Sequence, residues 1–288
     1  MRLVSFRDGY ASAAGLLVGD LVHEVGATMA ELLEDFPNSL VTLSTREKTA
    51  DPGRRHHLAD LELMPPVPAP SKVIGIGMNY RDHCRELGQG PPAKPLVFAK
   101  FPNSLAAPGA PLSWPLGLTD QVDWEVELAI VIGQRAYGVR EQDARSYMAG
   151  FAVANDVSAR DLQFGDGQFT RGKSLNGFCP MGPALVTSDE VPQPGGLDLW
   201  LELNGERLQT SNTRQLVFGV EQLVSFLSRN FTLFPGDIIL TGTPAGVGTF
   251  RKPPRYLKAG DLMVASVVGL GRLETPVVGP VATESTWN

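Results

Sequence analysis

Cysteine is nearly absent from this chain: Cys84 and Cys179 are the only two in 288 residues. Two cysteines at that separation give no disulfide framework and no zinc spacing, so a reducing, cytoplasmic setting is expected. No apolar run approaches the roughly 18 residues of a membrane span, and the opening Met1-Arg2-Leu3-Val4-Ser5-Phe6 lacks a signal-peptide core. Dense basic runs are missing as well. With 25 Lys and Arg against 31 Asp and Glu the net charge is −6, which argues against a nucleic-acid surface as the main function. Familiar nucleotide and nucleophile signatures also fail. Gly75-Ile76-Gly77-Met78-Asn79-Tyr80 has no third glycine for a dinucleotide fingerprint. The loop from Thr241 to Gly248 lacks a P-loop ending, no Gly-x-Ser-x-Gly elbow occurs, and neither cysteine has nucleophile-type neighbours.

What remains is an ordinary soluble globular composition, with room for one large domain or a large one with a small partner. Glycine (31) and proline (23) are both somewhat high, which points to many turns and short strands. Residues 1–63 read as strands at Leu3–Phe6, Gly15–Val18 and Leu21–Val25, a turn at Val18-Gly19-Asp20-Leu21, and a helix near Thr28–Phe36. Met64-Pro65-Pro66-Val67-Pro68-Ala69-Pro70 then packs four prolines into seven residues, an extended tether, and a linker is placed at 64–71. From 72 to 288 the pattern gives a strand at Lys72–Gly77 and a helix from Tyr80 to Leu87, capped by Asn79 and stopped by Gly88. Further strands are expected at Leu96–Lys100, Trp124–Ile132, Gly150–Asn155, Ala184–Thr187, Leu197–Leu203, Ile238–Leu240 and Leu262–Val268. Asn204-Gly205 signals a type I′ hairpin turn, and Val220–Arg229 an amphipathic helix. Strands dominate without regular helix alternation, so a doubly wound sheet is not expected.

The stretch Val122–Ile132 carries the strongest chemical signal. Its apolar residues alternate with period two, the mark of a half-buried strand. Asp123, Glu125 and Glu127 occupy the other face. Residues i and i+2 stand roughly 6.5–7 Å apart, and like charges that close oppose joint ionisation. A divalent cation between them would remove that cost. Asp156, where the apolar run Gly150–Asn155 emerges, is a candidate third ligand; three carboxylates without histidine suit Mg²⁺ or Mn²⁺, with Ca²⁺ possible. A solvated acidic face paired with arginines is the alternative that spacing leaves open. His83 and Glu86, at i and i+3 on a helix, are neighbours, an arrangement that orients an imidazole as general base or makes a plain surface contact. Arg160, Arg171 and Lys173 offer cations to an anionic substrate; Arg171 reads better as a surface charge. The loop Thr241–Gly248 offers backbone amides and the Thr243 hydroxyl to a carboxylate. His23, His56 and His57 read as structural or solvated.

Taken together, the segments Ile76–His83, Asp123–Leu128, Asn155–Gln163, Arg171–Ser174, Phe234–Ile239 and Thr241–Gly248 resemble the fumarylacetoacetate hydrolase (FAH) family. The resemblance spans about residues 72–273, with residues 1–63 resembling far more weakly the small N-terminal domain of many members. It implies an α+β, β-rich fold: a small N-terminal α+β domain followed by a mixed β-sheet roll, assembled as a homodimer. It selects Glu125, Glu127 and Asp156 as metal ligands, with Asp123 left as a bystander. It places the His–Glu dyad on His83 and Glu86, on a helix that orders over substrate. It gives the active-site lysine as Lys173 and substrate contacts as Arg160, Gln163 and Thr243. Trp124, Val126 and the segment 252–258 look closest to the bacterial branch that processes 2-oxo acids. The reaction this implies is Mg²⁺- or Mn²⁺-dependent cleavage of the C–C bond of an acylpyruvate or related 2,4-diketo acid. Oxaloacetate-type decarboxylation and 2-hydroxy-dienedioate isomerisation are alternatives on the same site. A non-catalytic scaffold is the reading from another class; failure to bind any divalent cation would support it.

Overall fold

The computed structural model describes residues 1–49 and 54–282. Its β-rich character follows from the short apolar alternations, and among the described residues the elements they mark form two larger sheets and a two-stranded ribbon that pairs Val122–Asp123 with Ser158–Ala159. In the larger sheet the neighbours run Arg55–His57, Leu21–Glu24, Ala11–Val18, Arg2–Asp8, Cys179–Thr187, Met148–Asn155, Val126–Ile132, Ile238–Leu240, Val73–Gly77 and Leu96–Lys100. Most pairs are antiparallel; Ile238–Leu240 and Val73–Gly77 run parallel, so the sheet is mixed. The smaller sheet orders Glu206–Asn212, Asp198–Leu203, Leu262–Val267, Gly271–Val281 and Leu112–Pro115. Leu199, Leu201, Leu203, Met263 and Ala265 of this sheet share one buried cluster with Val126, Leu128 and Ile130 of the larger one. No helix among the described residues is long and apolar enough to cross a membrane.

Strand Arg2–Asp8 pairs Leu3 with Leu185, so the segments on either side of the proline-rich stretch share a sheet. That stretch lies against the protein: Ser5 donates to the Pro66 carbonyl at 2.8 Å, and Val67 is buried. Helix α1 (Met29–Glu34) starts on a Thr28 capping box with Glu31. Helix α2 covers Asn38–Thr49. Asn204 and Gly205 both take positive φ, 55° and 80°, and close the hairpin that pairs Leu203 with Glu206, as a type I′ turn requires.

Two local expectations need correction. The strand at 122–132 is not half-buried: every residue from Val122 to Ile132 is buried. Its even positions enter one core, while Ala129 and Val131 enter a second with Leu3, Leu16, Met29 and Leu33. Alternation reports that two faces differ, but not that α1 and the N-terminal strands cover the second one. The strand is also interrupted at Trp124-Glu125. There the Glu125 N–H donates to Asn155 Oδ1 at 2.9 Å and the Val126 N–H to Gln209 Oε1 at 3.0 Å, side-chain amides replacing a ladder partner. The other correction is at helix α3 (Arg81–Glu86), whose N-cap is Tyr80 rather than Asn79. Asn79 instead ties distant loops, donating to the Thr241 and Phe218 carbonyls and accepting from the Phe218 N–H.

Candidate active site

The acidic cluster is a product of register. Antiparallel pairing sets Val126 opposite Asn155 and Glu127 opposite Ala154, so Asp156, one residue past the pairing, lies beside Glu125. Its N–H donates to the Glu125 carbonyl at 2.9 Å. Glu125, Glu127 and Asp156 each offer an oxygen within 4.8 Å of the others, and all three are buried. Lys173 reaches them from helix α5 (Thr170–Lys173), which packs close to helix α4 (Arg160–Gly165) because Gly172 has no side chain. A Cβ there would lie 2.6 Å from the Gln163 nitrogen and 2.7 Å from the Ala159 oxygen.

Three cations answer the acids. Lys173 Nζ donates to Glu125 Oε2 at 2.8 Å and to Asp156 Oδ2 at 2.7 Å. Arg160 donates through Nη1 to Glu125 Oε1 at 2.6 Å and to Gln163 Oε1 at 3.0 Å, and through Nε to Asp123 Oδ2 at 2.8 Å. Lys100 Nζ donates to Asp156 Oδ1 at 2.6 Å and to the Phe178 and Val157 carbonyls. Burial alone would raise the Glu125 carboxyl, but Lys173 and Arg160 overcome it and bring it down to about 2. Burial also opposes the charge on Lys173, yet Asp156 and Glu125 hold its ammonium above the ordinary lysine value. Glu127 differs. Burial, then the charges of Asp156 and Glu125, push its carboxyl well above the usual range. Its Oε2 accepts the Gly242 N–H at 2.6 Å, and no ion pair to it occurs among the described residues. A buried oxygen-only donor set with one carboxylate lacking a cation fits a hard divalent ion such as Mg²⁺ or Mn²⁺.

The dyad is formed. His83 Nδ1 and Glu86 Oε2 lie 2.8 Å apart, and Glu86 Oε1 accepts the Gly246 N–H at 2.9 Å. Helix α3 is thereby docked on the loop 241–248. That loop does bind carboxylates through its amides, but they are the protein's own: Glu127 at Gly242, Glu86 at Gly246, and Asp123 at Gly248 (2.7 Å). The Thr243 hydroxyl is likewise engaged, donating to the Val126 carbonyl and accepting from Gln209 Nε2. One cavity of about 370 Å³ is lined by His83, Glu125, Arg160, Gln163, Lys173 and Thr243. Arg171 is set apart, paired with Asp166 on the surface.

Sequence reasoning missed Lys100 and undervalued Asp123. Lys100 ends an apolar strand, a position where lysine is ordinarily solvated, so its signal was weak. Asp123 orients the Arg160 guanidinium and accepts from Trp124, Gly248 and Thr249 amides; it belongs to the cluster as its outer support.

Fold and site thus describe a mixed-sheet protein with a caged acid triad, a lysine and a histidine–glutamate pair around one cavity. The family described as "Fumarylacetoacetate (FAA) hydrolase C-terminal" matches residues 72–278, and the chain belongs to it. It is 44% identical to the human (Homo sapiens) mitochondrial oxaloacetate tautomerase FAHD2A, over 96% of this chain and 92% of that one. Among solved structures it resembles a 5-carboxymethyl-2-hydroxymuconate delta-isomerase from Mycobacterium smegmatis. That match has a TM-score of 0.80 at 36% identity, covering 97% of this chain and all of that one. A maleylpyruvate hydrolase from Sphingobium sp. SYK-6 matches with TM-score 0.81 and 30% identity, again over 97% and 100%.

Proposed function

We propose that this chain is a divalent-metal-dependent hydrolase that cleaves the C3–C4 bond of an acylpyruvate or related 2,4-diketo acid. The observation that carries the reading is one cavity lined by both His83, a carboxylate-oriented imidazole, and Glu125, a member of the caged carboxylate triad. Mg²⁺ or Mn²⁺ held by Glu125, Glu127 and Asp156 would supply the positive charge that polarises the 2-oxo group and its carboxylate. The protein's own groups do the rest. Arg160 Nη2 is buried and has no hydrogen-bond partner among the described residues, and it receives a substrate oxygen while Gln163 and Asp123 fix the guanidinium. Glu86 accepts the Nδ1–H of His83, leaving Nε2 to take a proton from water. The hydroxide adds to the C4 carbonyl, the C3–C4 electrons move onto the 2-oxo fragment, and a proton delivered to C3 completes pyruvate beside the released acid. Lys173, with one N–H beyond its two carboxylate bonds, adds positive charge where the oxygen charge grows.

A second reading, oxaloacetate keto–enol tautomerisation, is favoured by the 44% identity with an oxaloacetate tautomerase over nearly the whole chain. His83 would then move the C3 proton instead of activating water. The homodimer, implied by family resemblance, and a cytoplasmic location, read from the scarcity of cysteine, belong to the same proposal. The test is a paired assay on purified protein, with Mg²⁺, with Mn²⁺ and after chelation. Metal-dependent pyruvate from a 2,4-diketo acid such as acetylpyruvate is the expected result. Accelerated decay of oxaloacetate enol without pyruvate from any diketo acid would replace hydrolysis by tautomerisation.

A further inference from the structure

Gly75-Ile76-Gly77, which fails as a phosphate-binding loop, makes room for side chains. In the sheet Gly75 stands opposite Phe98 and Gly77 opposite Leu96. A Cβ on Gly75 would fall 2.2–2.8 Å from three atoms of the Phe98 ring, and one on Gly77 3.0 Å from Leu96 Cδ2. The approach at Gly77 is tight, whereas those at Gly75 are closer than real Cβ atoms come, so glycine at 75 is what lets the ring lie across the neighbouring strand. The ring is held edge-on by Phe169, centroids 5.5 Å apart, and Lys173 Nζ lies 5.2 Å from its centroid. Phe98 therefore borders the charged end of the cavity. Leu87, Leu96, Phe164, Phe169 and Phe250 make up much of the rest, together with Met78 and Gln89. Phe164 and Phe250 are 54% and 36% exposed, so they present apolar surface that a ligand could cover. The two cationic lining residues, Arg160 and Lys173, are both engaged with the carboxylates. Beyond them the lining holds His83, its ring 6.0 Å from that of Phe250, and Gln89, but no further lysine or arginine among the described residues.

We propose that this part of the cavity is an acyl-chain pocket: the 2-oxo acid carries an apolar, uncharged substituent at and beyond C4, and Phe98 seated on Gly75 sets its reach. The proposal rests on the reading of the carboxylate end as a 2-oxo-acid site. A distal carboxylate would lose its hydration against phenylalanine rings without an ion partner, whereas each buried methylene adds about fourfold in affinity.

The test is calorimetric binding to the full chain loaded with Mn²⁺, using pyruvate, 2-oxopentanoate, 2-oxohexanoate, 2-oxooctanoate and 2-oxoglutarate. Affinity should climb about fourfold per methylene over the first members, with 2-oxoglutarate weaker than 2-oxopentanoate. Gly75→Ala, by displacing the ring, should erase the gain for 2-oxooctanoate while leaving pyruvate binding unchanged. Phe98→Ala and Phe164→Ala supply the same readout through altered tail preference should Gly75→Ala fail to fold. Pyruvate binding with a flat series, or 2-oxoglutarate equal to or tighter than 2-oxopentanoate, overturns the acyl pocket alone. No binding by any member, pyruvate included, overturns the 2-oxo-acid reading and the pocket with it.

Discussion

At one end of the cavity Glu125, Glu127 and Asp156 stand on or beside paired strands, with Lys100, Lys173 and Arg160 locked among them. At the other end Phe164, Phe169 and Phe250 come from a short helix and loops and make few directional contacts. The difference follows from what each end must bury. Charge taken out of water is costly unless every partner is in place, so the carboxylate end is over-determined: Asp156 alone accepts from two lysines. Apolar walls need only space and area, and a glycine or a ring can change there without orphaning a charge. Substitutions at the first end should decide whether chemistry occurs; those at the second should decide on what.

Glu127→Gln is the strongest way to break that division. The amide keeps the shape and can still meet the Gly242 N–H, but removes the carboxylate that has no ion pair of its own among the described residues. Mn²⁺ affinity, read by titration calorimetry, should fall by more than about 100-fold, beyond the usual cost of losing an outer-shell partner, and turnover should vanish. An affinity within threefold of the parent protein would remove Glu127 from the cage. His83→Ala comes next. It leaves the triad untouched, so Mn²⁺ binding should hold while turnover drops by about 10²–10⁴-fold, the range for a lost general base. Parallel losses of both would mean that α3 organises the acids rather than acting on substrate.

Much of the charged end was legible in the sequence because it follows local rules. Glu125 and Glu127 share a face by strand period, Asp156 ends a buried run, and His83 and Glu86 are one helical turn apart. What lay beyond reach were long-range partners. Lys100 meets Asp156 across 56 positions and Gln209 meets Val126 across 83; no local pattern encodes either. The covering of the second face by α1 and the N-terminal strands was hidden for the same reason. The two glycines of β-strand Val73–Gly77 were visible, but their meaning depended on which strand lay opposite, and only the register with Leu96–Lys100 supplies it.

The mildest effect on turnover, and the sharpest test of what holds the charged end, is expected at Lys100. Its side chain is fully buried, and its three donors go to Asp156 and the Val157 and Phe178 carbonyls. Lys173 shares Asp156 but lines the cavity, so the two lysines separate support from a place on the cavity wall. Lys100→Met keeps the aliphatic volume and strips one cation from a buried acid, which costs about 3–5 kcal/mol in such settings. Urea denaturation should register that loss, while turnover per folded molecule falls less than in His83→Ala. Lys173→Met should reverse the balance, with turnover suffering most if, as proposed, its charge supports the oxygen charge that grows in the reaction. An unchanged denaturation midpoint for Lys100→Met would show that Lys173 and the surrounding amides already satisfy Asp156, and that the charged end is less tightly determined than its hydrogen bonds imply.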